Sequence, residues 1–210
     1  MKRLMIYCEG TTEESFVKEV LAPYFWNMHV IVNPISADGV SKYSLIKKDL
    51  VRLCKGDPTA IITTMLDYYG LPNETPGVSS AAGTIYDKAQ HIEIAVEADF
   101  NDQKNLLFNL SVHEYEGLLF SCISAFDHIA NDKQLSELKA ITENYETPEH
   151  INDSYDTAPS RRLEKIISEY SKVTDGTSIA KRIGIEEISS KCKHFERWIN
   201  KLTAWAKEGA

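Results

Sequence analysis

No Cys-x-x-Cys pair occurs among the four cysteines, Cys8, Cys54, Cys122 and Cys192, so the sequence offers neither a zinc site nor a disulfide framework. Their expected role is that of small buried hydrophobes. No apolar run reaches the roughly 18 residues that a membrane span needs. The Met-Lys-Arg start leads into an apolar run too short for a signal-peptide core, which makes the cytoplasm the expected compartment. A Gly-x-x-x-x-Gly-Lys-Ser/Thr loop is absent, which weakens any reading as a nucleotide-binding enzyme of that kind. Internal repeats and low-complexity tracts are absent too. Excess positive charge is missing: 23 basic against 31 acidic residues leave a net charge of −8. A chain with that balance does not coat nucleic acid unaided by neutralising phosphates.

The charge is unevenly spread. Residues 1–64 carry 8 basic and 7 acidic side chains, residues 65–157 carry 4 and 17, and residues 158–210 carry 11 and 7. A composition 43% hydrophobic and 26% charged over 210 residues is that of a globular protein with room for one well-cored domain plus an appendage.

Leu4-Met5-Ile6-Tyr7-Cys8 reads as a strand with both faces covered, and it breaks abruptly into Glu9-Gly10. Thr11 to Glu14 fits a Ser/Thr-x-x-Glu capping box, and Phe16, Val17, Val20, Leu21, Tyr24 and Phe25 recur at helical spacing, predicting a helix from Thr12 to about Trp26. His29 to Ile35 is rich in β-branched residues and predicts a second strand, followed by the polar Ser36-Ala37-Asp38-Gly39. A second helix carries Leu45, Ile46, Leu50, Val51 and Leu53 among lysines and arginines. Thr59 to Leu66 predicts a third strand ending on Asp67, and Tyr68 to Gly83 a long loop of the kind that is usually functional. A helix from Thr84 to about Phe100 and a fourth strand from Lys104 to Val112 follow. Beyond Ile123 only helices are expected: Ile123–Ile129, Leu135–Tyr145, Ser160–Tyr170, Ser178–Ile183 and Glu186–Ala206.

Alternating strands and helices predict an α/β fold, a mainly parallel four-stranded sheet flanked by helices. The expected core spans 1–122. A C-terminal helical extension, 123–210, is expected to pack on it, joined through the acidic stretch around Glu143 to Asp156. Three predicted strands end in carboxylates: Glu9 with Glu13 nearby, Asp67, and Glu114 with Glu116 beside His113. On a parallel sheet those ends share an edge, where neighbouring carboxylates repel unless neutralised. Mg2+ or Mn2+ is the economical partner, since magnesium is commonly held by one or two protein carboxylates together with substrate phosphates. Individually the acids have plainer roles, Glu13 and Glu14 as helix-capping residues and Glu9 and Asp67 as turn residues.

Four ordered stretches, Cys-Glu-Gly-Thr-Thr-Glu-Glu at 8–14, Thr-Thr-Met-Leu-Asp-Tyr-Tyr-Gly-Leu-Pro at 63–72, His-Glu-Tyr-Glu-Gly-Leu-Leu-Phe-Ser at 113–121 and Ile-Asn-Asp with Thr-Ala-Pro-Ser-Arg-Arg-Leu across 151–163, resemble the bacterial and archaeal Toprim-like proteins of domain of unknown function family 4276. The likeness continues through Arg182-Ile183-Gly184 and His194-Phe195. It implies a Toprim-like fold and a metal-dependent nuclease. The Toprim glutamate maps to Glu9 beside Gly10, and the first aspartate of Asp-x-Asp maps to Asp67. Tyr69 stands where the second aspartate belongs, and a phenol with a pKa near 10 is a poor magnesium ligand. Glu116 or Glu114 is the candidate replacement. The expected catalytic and metal-binding set is therefore Glu9, Asp67 and Glu116, with Glu13 and Glu114 as alternate ligands and Gly10, Tyr69 and His113 in support. Arg161, Arg162, Lys181 and Arg182 are the candidate contacts to nucleic acid. The family's association with ATPases of the structural-maintenance or ATP-binding-cassette type implies such a partner and a part in anti-phage defence. The open alternative is a catalytically silent Toprim-like subunit that binds an ATPase or senses a phage component.

Overall fold

A computed structural model describes residues 1–37, 39, 41–100, 102–152 and 157–208. Asp38 of the polar turn and the end of the expected acidic joint, residues 153–156, lie outside the described residues.

The sheet is parallel throughout. Strands β1 (Lys2–Cys8), β2 (Val30–Ser36), β3 (Ile61–Asp67) and β4 (Leu106–Leu107) lie in the order β2-β1-β3-β4, and β5 (Leu110–Ser111) pairs with β3 beyond β4. The expected fourth strand is thus one lane in two pieces. Thr64 makes the break: its hydroxyl donates to the Asn109 carbonyl at 2.6 Å and accepts from the Asn109 N–H at 2.8 Å, taking the place of a regular rung. The free side of this lane is covered by helix α4 (Ile85–Asp99), whose Glu97 and Glu93 accept the N–H groups of Phe108 (3.0 Å) and Leu110 (3.1 Å). Satisfied in this way, the edge is a poor template for pairing with another chain.

Side-chain alternation along β1 sorts the interior into two layers. Leu4, Ile6 and Cys8 enter one cluster with the first helix and the C-terminal helices, while Met5 and Tyr7 face the other, formed with α3 (Tyr43–Gly56) and α4. The first cluster runs continuously from Leu4 and Phe16 to Leu163, Ile179 and Trp198. Trp198 also donates its indole N–H to Thr63 Oγ1 at 2.9 Å. All four cysteines are free, and three of them, Cys8, Cys54 and Cys192, are buried.

Several local expectations shift. The first helical stretch is α1 (Thr11–Phe16), a π-helical turn (Val17–Leu21) and α2 (Ala22–Trp26). The π turn falls just before Pro23, which has no N–H for the carbonyl four residues back. The cap is Gly10 rather than Thr11: Gly10 N–H donates to Glu13 Oε2 at 2.9 Å, so Glu13 closes the box. On α3 the buried stripe is Tyr43, Ile46, Leu50 and Cys54, spaced three and four apart, which leaves Leu45 exposed.

Downstream, Ile123–Phe126 is a 3-10 segment, followed by α5 (Asp132–Thr142), α6 (Pro159–Ile166) and α7 (Thr174–Ile183). The expected last helix is two, α8 (Ile185–Lys191) and α9 (Lys193–Lys207), separated at the extended Cys192. Glu149 starts α9 by accepting the N–H groups of His194 (3.0 Å) and Phe195 (2.9 Å). No described helix is long and apolar enough to cross a membrane.

Candidate functional site

Parallel register brings the carboxyl ends of β1 and β3 side by side, with Cys8 opposite Met65 and the Glu9 N–H donating to the Met65 carbonyl at 3.1 Å. The Glu9 side chain turns into the loop after β3, where its Oε2 accepts the Asp67 N–H at 3.0 Å. Gly70 lies directly across from it. A Cβ on Gly70 would lie 2.8 and 2.9 Å from the two Glu9 carboxylate oxygens. Burial raises the pKa of Glu9, and the Glu114 charge raises it further against the lowering effect of the Asp67 N–H.

Asp67 ends β3. Its Oδ1 is shielded from solvent and accepts no hydrogen bond from any described residue. Burial holds its carboxyl well above the usual range, and Glu9, Glu13, Glu116 and Glu114 all push in the same direction. A buried polar atom without a partner is costly. Glu13 is buried, its Oε2 committed to the Gly10 N–H, and its pKa is raised chiefly by burial, with Glu9 adding to the rise.

The third group follows β5. His113 is buried and has φ +65°, a left-handed conformation unusual outside glycine. Glu114 Oε2 accepts the Ser160 N–H at 3.1 Å in the first turn of α6, a favourable place for a carboxylate. Glu116, 4% exposed, has its pKa raised to about 7, mainly by burial, with Glu114 and Glu13 adding to the rise and Lys172 opposing it. Lys172 Nζ lies 3.8 Å from Glu116 Oε1 and 3.9 Å from Glu164 Oε1.

The sequence-predicted acids thus lie near enough to act on one another's charge. They are not a ready-made cage: among the described residues no three His, Cys, Asp or Glu side chains are gathered to hold a metal ion. Asp67 Oδ1, buried and without a donor among the described residues, is an open acceptor on this edge.

Tyr69 is exposed and stacks on the His113 ring, centroids 5.0 Å apart and planes 14° from parallel. The four candidate nucleic-acid contacts already have protein partners. Arg161 pairs with Glu164 at 3.0 Å, and Arg162 donates to the Thr157 carbonyl at 2.6 Å and the Tyr145 hydroxyl at 2.8 Å. Lys181 meets Glu19 at 2.9 Å, and Arg182 pairs with Asp127. Two residues escaped the sequence reading: Lys172, which lay unmarked among eleven basic residues of the C-terminal part, and Gly70, whose signal was a glycine three places after a strand-ending acid.

A parallel α/β sheet with carboxylates assembled along its carboxyl edge defines the class of protein. The chain belongs to the family described as Domain of unknown function (DUF4276), whose profile matches residues 8–203. No curated protein matches it. Among solved structures it is similar to the C-terminal region of the Burkholderia pseudomallei OLD protein, 15% identical, with 96% of this chain and 98% of that chain covered and a TM-score of 0.47. It is also similar to the C-terminal region of the Xanthomonas campestris pv. campestris OLD protein, at 14% identity, coverage of 97% and 98%, and a TM-score of 0.42.

Proposed function

We propose that the protein is a Toprim-type nuclease that hydrolyses nucleic-acid phosphodiesters with the help of Mg2+ or Mn2+. The observation that carries this reading is the buried, unpartnered Asp67 Oδ1 among four further carboxylates, a repulsion that a divalent cation relieves. Glu9, Asp67 and Glu116 would hold the ion or ions, with Glu114 and Glu13 as alternates. When bound, such an ion polarises a phosphoryl oxygen and lowers the pKa of an attacking water.

The chain's own groups supply the rest. Glu9 is fixed by the Asp67 N–H and by the space that Gly70 leaves, so its carboxylate is held in place before any ligand arrives. Lys172, the cation next to Glu116, offers its ammonium to a phosphate oxygen and offsets part of the acidic field around it. Arg161 and Arg162, on the helix whose first turn holds Glu114, would extend a basic approach once released from their present partners, and Lys181 and Arg182 are further candidate phosphate contacts. The family resemblance adds an ATPase partner and a part in anti-phage defence, and the acidic middle of the chain gives that partner a purpose in gripping nucleic acid.

Glu9→Ala and Asp67→Ala each abolish Mg2+- or Mn2+-dependent cleavage of labelled DNA or RNA. Undiminished cleavage by both variants overturns the assignment. Tyr69, in place of the second aspartate, favours the second reading, a silent adaptor or sensor. That reading predicts no change in melting temperature with millimolar Mg2+ or Mn2+ and no cleavage of either nucleic acid.

A further inference from the structure

Tyr69 exposes 59% of its surface two residues beyond Asp67. It is nevertheless held on two sides. The Tyr68 ring stands at 81° to it with centroids 5.5 Å apart, and the ring of buried His113 is stacked on it. The backing ring is itself set by a left-handed backbone at His113, a conformation that a non-glycine residue keeps only where its surroundings impose it. The product is a largely exposed aromatic ring held by two neighbouring rings, close in the chain to Asp67 and stacked on the residue before Glu114.

We propose that this plane is a stacking platform for an unpaired nucleobase and that the substrate is single-stranded nucleic acid. The inference rests on the nuclease reading and names its substrate class. Bases in a duplex already have both faces covered by their neighbours, whereas an unpaired base offers its π-face to an aromatic side chain. Charge leaves a role for such a contact. Residues 65–157 carry 4 basic and 17 acidic side chains, so this part of the chain has little electrostatic hold on phosphates. Stacking needs no positive charge, and it is tolerant of sequence because every base has a face.

The test uses single-stranded DNA and RNA oligonucleotides carrying 2-aminopurine at successive positions, and the matching duplexes. Binding is measured with Ca2+ in place of Mg2+ to hold back turnover, in the full chain and in Tyr69→Phe, Tyr69→Leu and Tyr69→Ala. Tyr69 is exposed, so the variants are expected to fold, which circular dichroism checks. Fluorescence quenching is expected at one position of the single strand in wild type and Tyr69→Phe and lost in Tyr69→Leu and Tyr69→Ala. Single-strand affinity should fall from about 5-fold to about 150-fold in Tyr69→Ala, with duplex affinity unchanged. The DNA and RNA arms identify which strand is preferred. Wild-type binding confined to duplexes, no binding of either single strand, or equal affinity of wild type and Tyr69→Ala overturns the proposal. Single-strand cleavage lost in Glu9→Ala but undiminished in Tyr69→Ala would leave the nuclease reading standing while overturning the platform.

Discussion

Replacing Glu116 by Gln in the metal-free protein should flatten the pH dependence of stability. Glu116 has an ordinary pKa of 4.5 and is raised by burial to about 7 in the folded chain. Below pH 4.5 the carboxyl is protonated in both states and contributes nothing. Between 4.5 and about 7 the unfolded chain has released the proton and the folded chain keeps it, so the unfolded state binds fewer protons and stability falls as pH rises. Above about 7 the loss is complete. At about 1.4 kcal/mol for each pH unit of that interval, it amounts to something on the order of 3 kcal/mol. For a domain of this size that corresponds to about 6–12 °C in melting temperature. Glu9, Glu13 and Asp67 are raised as well and act in the same direction, so Glu116→Gln flattens the profile without abolishing it. The assay is thermal unfolding in EDTA at pH 5 and pH 8 for both proteins, repeated with Mg2+ or Mn2+. Wild type should be less stable at pH 8 than at pH 5, the difference should shrink in Glu116→Gln, and metal should restore wild type most at pH 8. Identical profiles for the two proteins, or stability that rises across this interval, would refute the account of a repulsive buried acid edge.

Gly70→Ala should leave the melting temperature within about 3 °C and sharply reduce metal-dependent cleavage, because the new Cβ meets only the terminal carboxylate of Glu9 and displaces it from the Asp67 N–H. Paired activity and melting assays check this. Lys172→Met should push the Glu116 pKa higher and weaken substrate binding more at low than at high salt, measured by titration with labelled oligonucleotide. Glu149→Ala should cost about 2 kcal/mol in urea denaturation, since it leaves two N–H groups at the start of α9 and the Tyr86 hydroxyl without their acceptor.

Much of the fold and part of the site could be read along the chain because their signals are local. The continuous apolar runs of β1 and β3, the three- and four-residue spacing after Thr11 and the acids at strand ends are properties of neighbouring residues. Parallel pairing then follows from the helices between strands, and with it the gathering of Glu9 and Asp67 on one edge. The local pattern misplaced features governed by partners far away. The Lys104–Val112 run looks like one strand, and the Thr64 hydroxyl, 45 residues distant, divides it. The last helix looks continuous, and Glu149 begins a new one at Lys193.

By itself, the sequence determined which residues could form a cation-seeking edge: the Glu9, Asp67 and Glu114-to-Glu116 carboxylates, and a tyrosine where a second aspartate was expected. Tertiary structure alone decided their states. It left Asp67 Oδ1 buried without a donor among the described residues, set Lys172 against Glu116, made Gly70 the gap that admits the Glu9 carboxylate, and laid Tyr69 flat on His113. Periodicity reports which face a residue takes, whereas pKa, hydrogen-bond satisfaction and ring stacking depend on which distant atoms arrive within a few ångströms.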